Sequence, residues 1–189
     1  MGKPFHFREN GLAMRYVELH CRSNFSFLDG ASHPDELVQR AAELGYEGLA
    51  ITDRESIAGV VRGFSPAQEL GLQYIVGTEV HPTDAPPMVL WPTDRAAYGR
   101  MCRMLSIGRM RCEKGRCELS FEDIAEHAQG ILAGVIATDE SRSIEDHHAR
   151  VNDSRQFLRG PFRDVFDDRG YLLASFHRGV DASVMVFDR

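Results

Sequence analysis

The chain has 189 residues, 43% of them hydrophobic and 26% charged, with a formal net charge of −6. That length and apolar content suit one packed domain with a short tail and exclude bulk disorder, while the acidic balance excludes a protein whose whole surface grips nucleic acid. Apolar runs such as residues 135–137 and 171–174 are far too short to cross a bilayer, and the polar residues 1–10 give no expectation of a secretory leader, so the expected location is cytoplasmic.

In chain order, residues 17–20 read as a first strand that stops at a polar loop. Pro34 followed by Asp35 and Glu36 marks a helix start, because proline suits the first turn and acids complement the positive end of the dipole. Leu37, Ala41 and Leu44 follow at helical spacing, with Gly45 placed as a C-terminal cap. Residues 49–52 form a second strand, apolar enough to be buried on both faces. A helix is expected from Ser56 toward Leu70, stopped by Gly71 and broken near Phe64 by Pro66, with Ser65 capping a second piece. Residues 73–76 and 88–91 are the third and fourth strands. Thr93-Asp94 opens a helix carrying Ala97, Met101 and Leu105.

Residues 100–116 hold six basic side chains and one acid, and read as a loop that is either solvated or phosphate-contacting. No aromatic residue is interleaved there for base stacking, which favours the solvated reading. The basic side chains are mostly arginine, with lysine only at Lys3 and Lys114. Ser120-Phe121-Glu122-Asp123 approximates a capping box with Asp in place of Glu. Residues 131–136 are a fifth strand, residues 143–157 a polar helix, and residues 171–176 a sixth strand. Cys112 and Cys117 form a C-x4-C pair with no second half, so free thiols are expected for these two and for Cys21 and Cys102.

Strands separated by helical sequence imply βα units, hence an α/β chain with a mainly parallel sheet or barrel. Such a barrel carries its chemistry at the C-terminal ends of the strands. That rule selects His20, Asp53, Glu79 and His177, each a potential metal ligand or acid–base group.

The stretch Glu18-Leu19-His20-Cys21-Arg22-Ser23-Asn24-Phe25-Ser26-Phe27-Leu28-Asp29-Gly30-Ala31, with Ala50-Ile51-Thr52-Asp53 and Val76-Gly77-Thr78-Glu79, resembles the PHP (polymerase and histidinol phosphatase) domain. The likeness is closer to the N-terminal PHP domain of DnaE-type DNA polymerase III alpha subunits, and within these to the error-prone branch. Thr93-Asp94-Arg95-Ala96-Ala97-Tyr98 and Phe176-His177-Arg178-Gly179 extend it. The resemblance implies a distorted βα barrel, incomplete here at about six of seven strands. It also implies an N-terminal extension at 1–14, a partial PHP domain at 15–182 and an atypical tail at 183–189.

Active members of that family hold divalent metals (Zn, Mn or Mg) on His, Asp and Glu from the strand ends. By this resemblance His20, Asp29, Glu79 and His177 fit ligand positions, Asp53 is a further cleft acid, and Arg22 and Arg54 stand where histidines are expected. Guanidinium has no lone pair to donate and is a permanent cation. A vestigial, salt-bridged pocket without catalysis of its own is therefore expected, and no cofactor unless a site survives. Cys21 would point away from His20 on a strand and is not counted as a ligand. The implied role is that of a structural module in replication or translesion repair. Its partners would be polymerase domains of the same family or other repair proteins, with DNA contacted only indirectly. The alternatives are a metal-dependent phosphoesterase or 3′–5′ exonuclease, and a small α/β nucleic-acid-binding protein.

Overall fold

The computed structural model describes residues 16–137 and 157–174. The first unit alternates β1 (Val17–Cys21), α1 (Pro34–Glu43), β2 (Gly48–Ile51), α2 (Val60–Leu70) and β3 (Gln73–Val76). Its three strands pair in parallel in the order β1-β2-β3. The first turn of α1 carries Pro34, Asp35 and Glu36, and the Glu36 carboxylate accepts from the His33 backbone N–H at 2.8 Å. The buried face of α1 centres on Val38 and Ala41, with Leu44 exposed beyond it.

The chain then passes through β4 (Thr78–Val80), β5 (Met88–Pro92), α3 (Arg95–Met110), α4 (Phe121–His127), β6 (Ile131–Ala137), α5 (Pro161–Phe166), a 3-10 turn at Asp167–Arg169 and β7 (Gly170–Ala174). This second sheet runs β4-β5-β6-β7, antiparallel at its first two pairings and parallel only at β6–β7. The expectation of a mainly parallel sheet therefore fails for this half. All six expected strands form among the described residues, and a seventh, β4, is added, whose three residues carry no readable period. The two sheets do not close into one barrel.

Strand alternation sorts the core into layers. Leu49 and Ile51 of β2 face α1 and α2 with Val38, Ala41 and Ala67. Met88 and Leu90 of β5 face the helices with Met101, Met104 and Ile124. Ala50, Val89, Trp91 and Ile136 point the other way and pack sheet against sheet. Trp91 donates Nε1–H to the Leu19 carbonyl at 3.0 Å across that layer.

Two helix expectations are corrected. Helix α2 begins at Val60 rather than Ser56 and runs without a break through Pro66. Its buried positions Gly63 and Ala67 flank the proline, and Gly63 lies against the Tyr74 ring, so packing on β3 outweighs the lost hydrogen bond. Helix α3 extends to Met110, so most of the basic stretch expected as a loop is helical. The helix expected over residues 143–157 lies outside the described residues except at Phe157, which is helical, and the boundaries at 1–14 and 183–189 lie outside them too.

Candidate functional site

The two sheets meet where β2 ends. Gly77 N–H donates to the Ile51 carbonyl (3.2 Å), Glu79 N–H to the Asp53 carbonyl (3.2 Å) and Glu55 N–H to the Glu79 carbonyl (2.7 Å). Arg54 and Glu79 thus form a parallel bridge between the end of the first sheet and β4. That junction brings the ends of β1 and β2 onto one buried carboxylate.

Glu79 is 1% exposed and fully hydrogen-bonded. Arg22 donates Nε–H to Oε2 and an Nη2–H to Oε1, both at 2.7 Å, a two-pronged pairing that matches the planar fork to the carboxylate. His20 Nε2 lies 2.8 Å from Oε2 and His81 Nε2 lies 2.6 Å from Oε1. Burial pushes the Glu79 carboxyl up. The hydrogen bonds from His20 and His81, with the charges of His20 and Arg22, outweigh burial and hold it well below the usual carboxylate range.

Asp29 lies on the rim. Arg54 Nη2 is 3.2 Å from its Oδ2 and Arg22 Nη1 is 3.8 Å away. Asp53, 1% exposed, is held by serine donors. Its Oδ1 accepts from Ser23 N–H and the Ser26 hydroxyl, and its Oδ2 from the Ser23 hydroxyl, all at 2.7 Å. Asp53 therefore anchors the loop after β1 rather than presenting a free acid to a cleft. The loop needs Gly30, since a Cβ there would lie 2.0 Å from the Ser23 carbonyl oxygen.

His20, Arg22, Asp29, Arg54 and Glu79 thus converge, Asp53 sits beside them in a structural role, and His177 lies outside the described residues. Sequence reasoning missed His81, Ser23 and Ser26. The signal for His81 was its i, i+2 spacing from Glu79 around the buried Val80, which places both on one face of an extended segment. Cys21 packs into the α1–α2 core, away from His20, and burial followed by the Glu18 and Asp53 charges pushes its thiol up to about 12.

The donor set does not fit a cluster of divalent metals. Both Glu79 oxygens are spanned by a guanidinium, Asp29 is engaged by two more arginine contacts, and all three Asp53 contacts come from protein donors. Among the described residues no group of three or more His, Cys, Asp and Glu side chains could hold a metal ion. Beside this centre a cleft of about 720 Å³ opens, lined in part by Phe25, Phe27, Asp29, Arg54, Arg109 and Gly115. Three of the six basic side chains of residues 100–116 are engaged locally. Arg100 donates to the Gln129 carbonyl, Arg109 to the Glu55 carbonyl, and Arg111 to both Asp123 oxygens at 2.6 and 2.8 Å. No helix of the described residues is long and apolar enough to cross a membrane.

Comparison with known proteins shows the family and the fold. The chain is 96% identical over 181 residues to an error-prone DNA polymerase of Rhodopirellula baltica, covering 96% of this chain and 16% of that protein. It is 49% identical over 142 residues to an error-prone DNA polymerase of Aromatoleum aromaticum, covering 74% of this chain and 13% of that one. The chain thus spans a small fraction of these curated relatives. Among solved structures, a protein of Bifidobacterium adolescentis described as a putative metal-dependent phosphoesterase superposes with a TM-score of 0.56 at 16% identity, covering 84% of this chain and 86% of its own. An amidohydrolase of Chromobacterium violaceum superposes with a TM-score of 0.53 at 19% identity, covering 91% of each chain. These two show a shared fold. The PHP domain family matches residues 18–166, and with the near-identical polymerase relative this places the chain in the PHP domain family, in the N-terminal position that error-prone DNA polymerases give it.

Proposed function

We propose that the chain is the PHP portion of an error-prone DnaE-type DNA polymerase III alpha subunit and acts as a structural module without hydrolysis of its own. The observation that carries the second half is the Arg22 fork across Glu79. In a metal-dependent phosphoesterase a carboxylate at the strand end draws its charge balance from a cation that also activates water. Here the compensating cation is covalently part of the chain, cannot be lost, and offers no site to a water or phosphate oxygen. Arg54 on Asp29 repeats the substitution at the rim. His20, Asp29 and Glu79 are read as vestigial ligand positions, and residues 15–182 as a partial PHP domain.

DNA synthesis in replication or translesion repair is proposed for the longer polymerase to which such a portion belongs, with polymerase domains of the same family as its partners and DNA reached only through them. The test is hydrolysis of a phosphomonoester and of a single-stranded DNA 3′ end by the purified chain with manganese or zinc, together with elemental analysis. No turnover and no bound metal are expected. Metal-dependent turnover that disappears in a His20→Ala, Glu79→Ala double variant would instead establish a phosphoesterase or 3′–5′ exonuclease.

A further inference from the structure

The C-x4-C pair has no part in the site described above, and its geometry is specific. Helix α3 ends at Met110, and the chain reverses through a turn closed by the Arg116 N–H donating to the Glu113 carbonyl at 3.2 Å. Gly115, at φ +94°, occupies the position of that turn that needs a left-handed residue. A turn of this kind brings its own ends, Glu113 and Arg116, within about 7 Å, and Cys112 and Cys117 each lie one residue outside them.

Both thiols then settle on one helix residue, Gly108. Cys112 Sγ lies 3.5 Å from the Gly108 carbonyl oxygen, and the same oxygen accepts from the Glu118 N–H, next to Cys117, at 3.1 Å. Cys117 Sγ sits against the α-carbon of Gly108, where an added Cβ would lie 2.7 Å from the sulfur. The absence of a side chain at Gly108 is what admits Cys117 to the helix surface. The other two cysteines have no such relation. Cys21 packs into the α1–α2 core, and Cys102 lies ten residues before Cys112 along the chain, about 15 Å away for a helical rise.

We propose that Cys112 and Cys117 are a dithiol that closes to a disulfide under oxidation, locking the 113–116 turn at the wall of the cleft. Gly115 of that turn and Arg109 of the preceding helix both line the cleft, so the bridge fixes part of its wall. The oxidant is a small-molecule disulfide such as oxidised glutathione. One thiolate of the protein attacks it, forming a mixed disulfide and releasing one thiol. The second protein thiolate displaces the remaining half. In total one sulfur–sulfur bond breaks and one forms, the protein loses two electrons and two protons, and the oxidant leaves as two thiols. Burial raises the Cys117 thiol to about 11, with the Glu55 charge adding to the effect and Arg109 opposing it, which makes Cys117 a poor attacking group.

The experiment treats the folded chain with excess oxidised glutathione, quenches with acid and digests with trypsin without reductant. Cleavage after Arg111, Lys114 and Arg116 separates the two cysteines in sequence, so a bridge appears as a cross-linked peptide pair that a reductant dissolves. The expected result is that pair as the main product, a mass lower by two hydrogens, and a single glutathione adduct in Cys112→Ser or Cys117→Ser. Gly115→Ala strains the turn and should slow closure by at least about fivefold while leaving the fold intact by circular dichroism. Glutathione carried separately on both cysteines of the folded chain, a bridge to Cys21 or Cys102 instead, or a bridge that forms only in denaturant would each overturn the proposal.

Discussion

Replacing Arg22 by methionine keeps much of the apolar stem but strips Glu79 of its permanent cation. Glu79 is 1% exposed and Arg22 is 32% exposed, so the pair is buried on the carboxylate side and partly wet on the other. Breaking one half of a fully buried pair costs about 3–5 kcal/mol, and the water that reaches Arg22 places this case near the lower end, about 3 kcal/mol. Glu79→Gln alone leaves the guanidinium without its carboxylate and should cost about 1–3 kcal/mol. Removing both charges leaves neither orphaned, so the double variant should be less destabilised than the two single losses combined, with a coupling of at least about 1 kcal/mol. The assay is urea unfolding of the four proteins followed by circular dichroism, comparing midpoints at constant slope. If Arg22→Met costs less than about 1 kcal/mol and the double variant is simply additive, the fork is not a structural element and the reasoning for a guanidinium in the metal's place is wrong.

The remaining predictions concern the same neighbourhood and its supports. Because the Glu79 carboxyl is held below its ordinary value near 4.5, the unfolded chain binds its proton first; stability present above that value should fall as pH drops from about 5 toward 2, and Glu79→Gln should flatten this loss in acid unfolding curves. Asp123, lowered chiefly by the Arg111 hydrogen bonds against a smaller effect of burial, adds to the same acid-side slope, so Arg111→Met should reduce it. Gly30→Ala should destabilise by about 2–3 kcal/mol, since its Cβ would meet a backbone oxygen rather than a movable side chain; a neutral result in thermal melts would show that the loop over Asp53 is free to shift. Asp53→Ala should cost about 2–4 kcal/mol by leaving Ser23 and Ser26 donors unpaired, whereas an unchanged unfolding midpoint would restore Asp53 as a free cleft acid.

How much of this was legible beforehand follows from which forces are local. The apolar runs at β2, β3 and β5, the Pro34 helix start, the Ser120–Asp123 capping box and the glycine stops at Gly45 and Gly71 are set by near neighbours along the chain, and they could be read. So could the position of His20 near the end of β1, because the end of an apolar run is a sequence property, whereas Glu79, read as lying just past the third strand, is the middle residue of β4. The continuity of α2 through Pro66 could not, because it depends on Gly63 and Ala67 meeting β3. Nor could β4, whose three residues become a strand only when β5 supplies the ladder.

The division is sharpest at the centre. Sequence alone put arginines where the resemblance leads one to expect lone-pair donors, and so pointed to guanidinium as part of the local charge balance. Only the tertiary structure decided which acid each cation would meet. Residues 22 and 79 lie 57 positions apart, and their two-pronged contact exists because the end of β2 bridges to β4 and carries Glu79 beneath the end of β1. The same junction diverted Asp53 to the serine hydroxyls and brought His81 onto Glu79, since a buried carboxylate takes whatever donors the packed backbone places within hydrogen-bond reach.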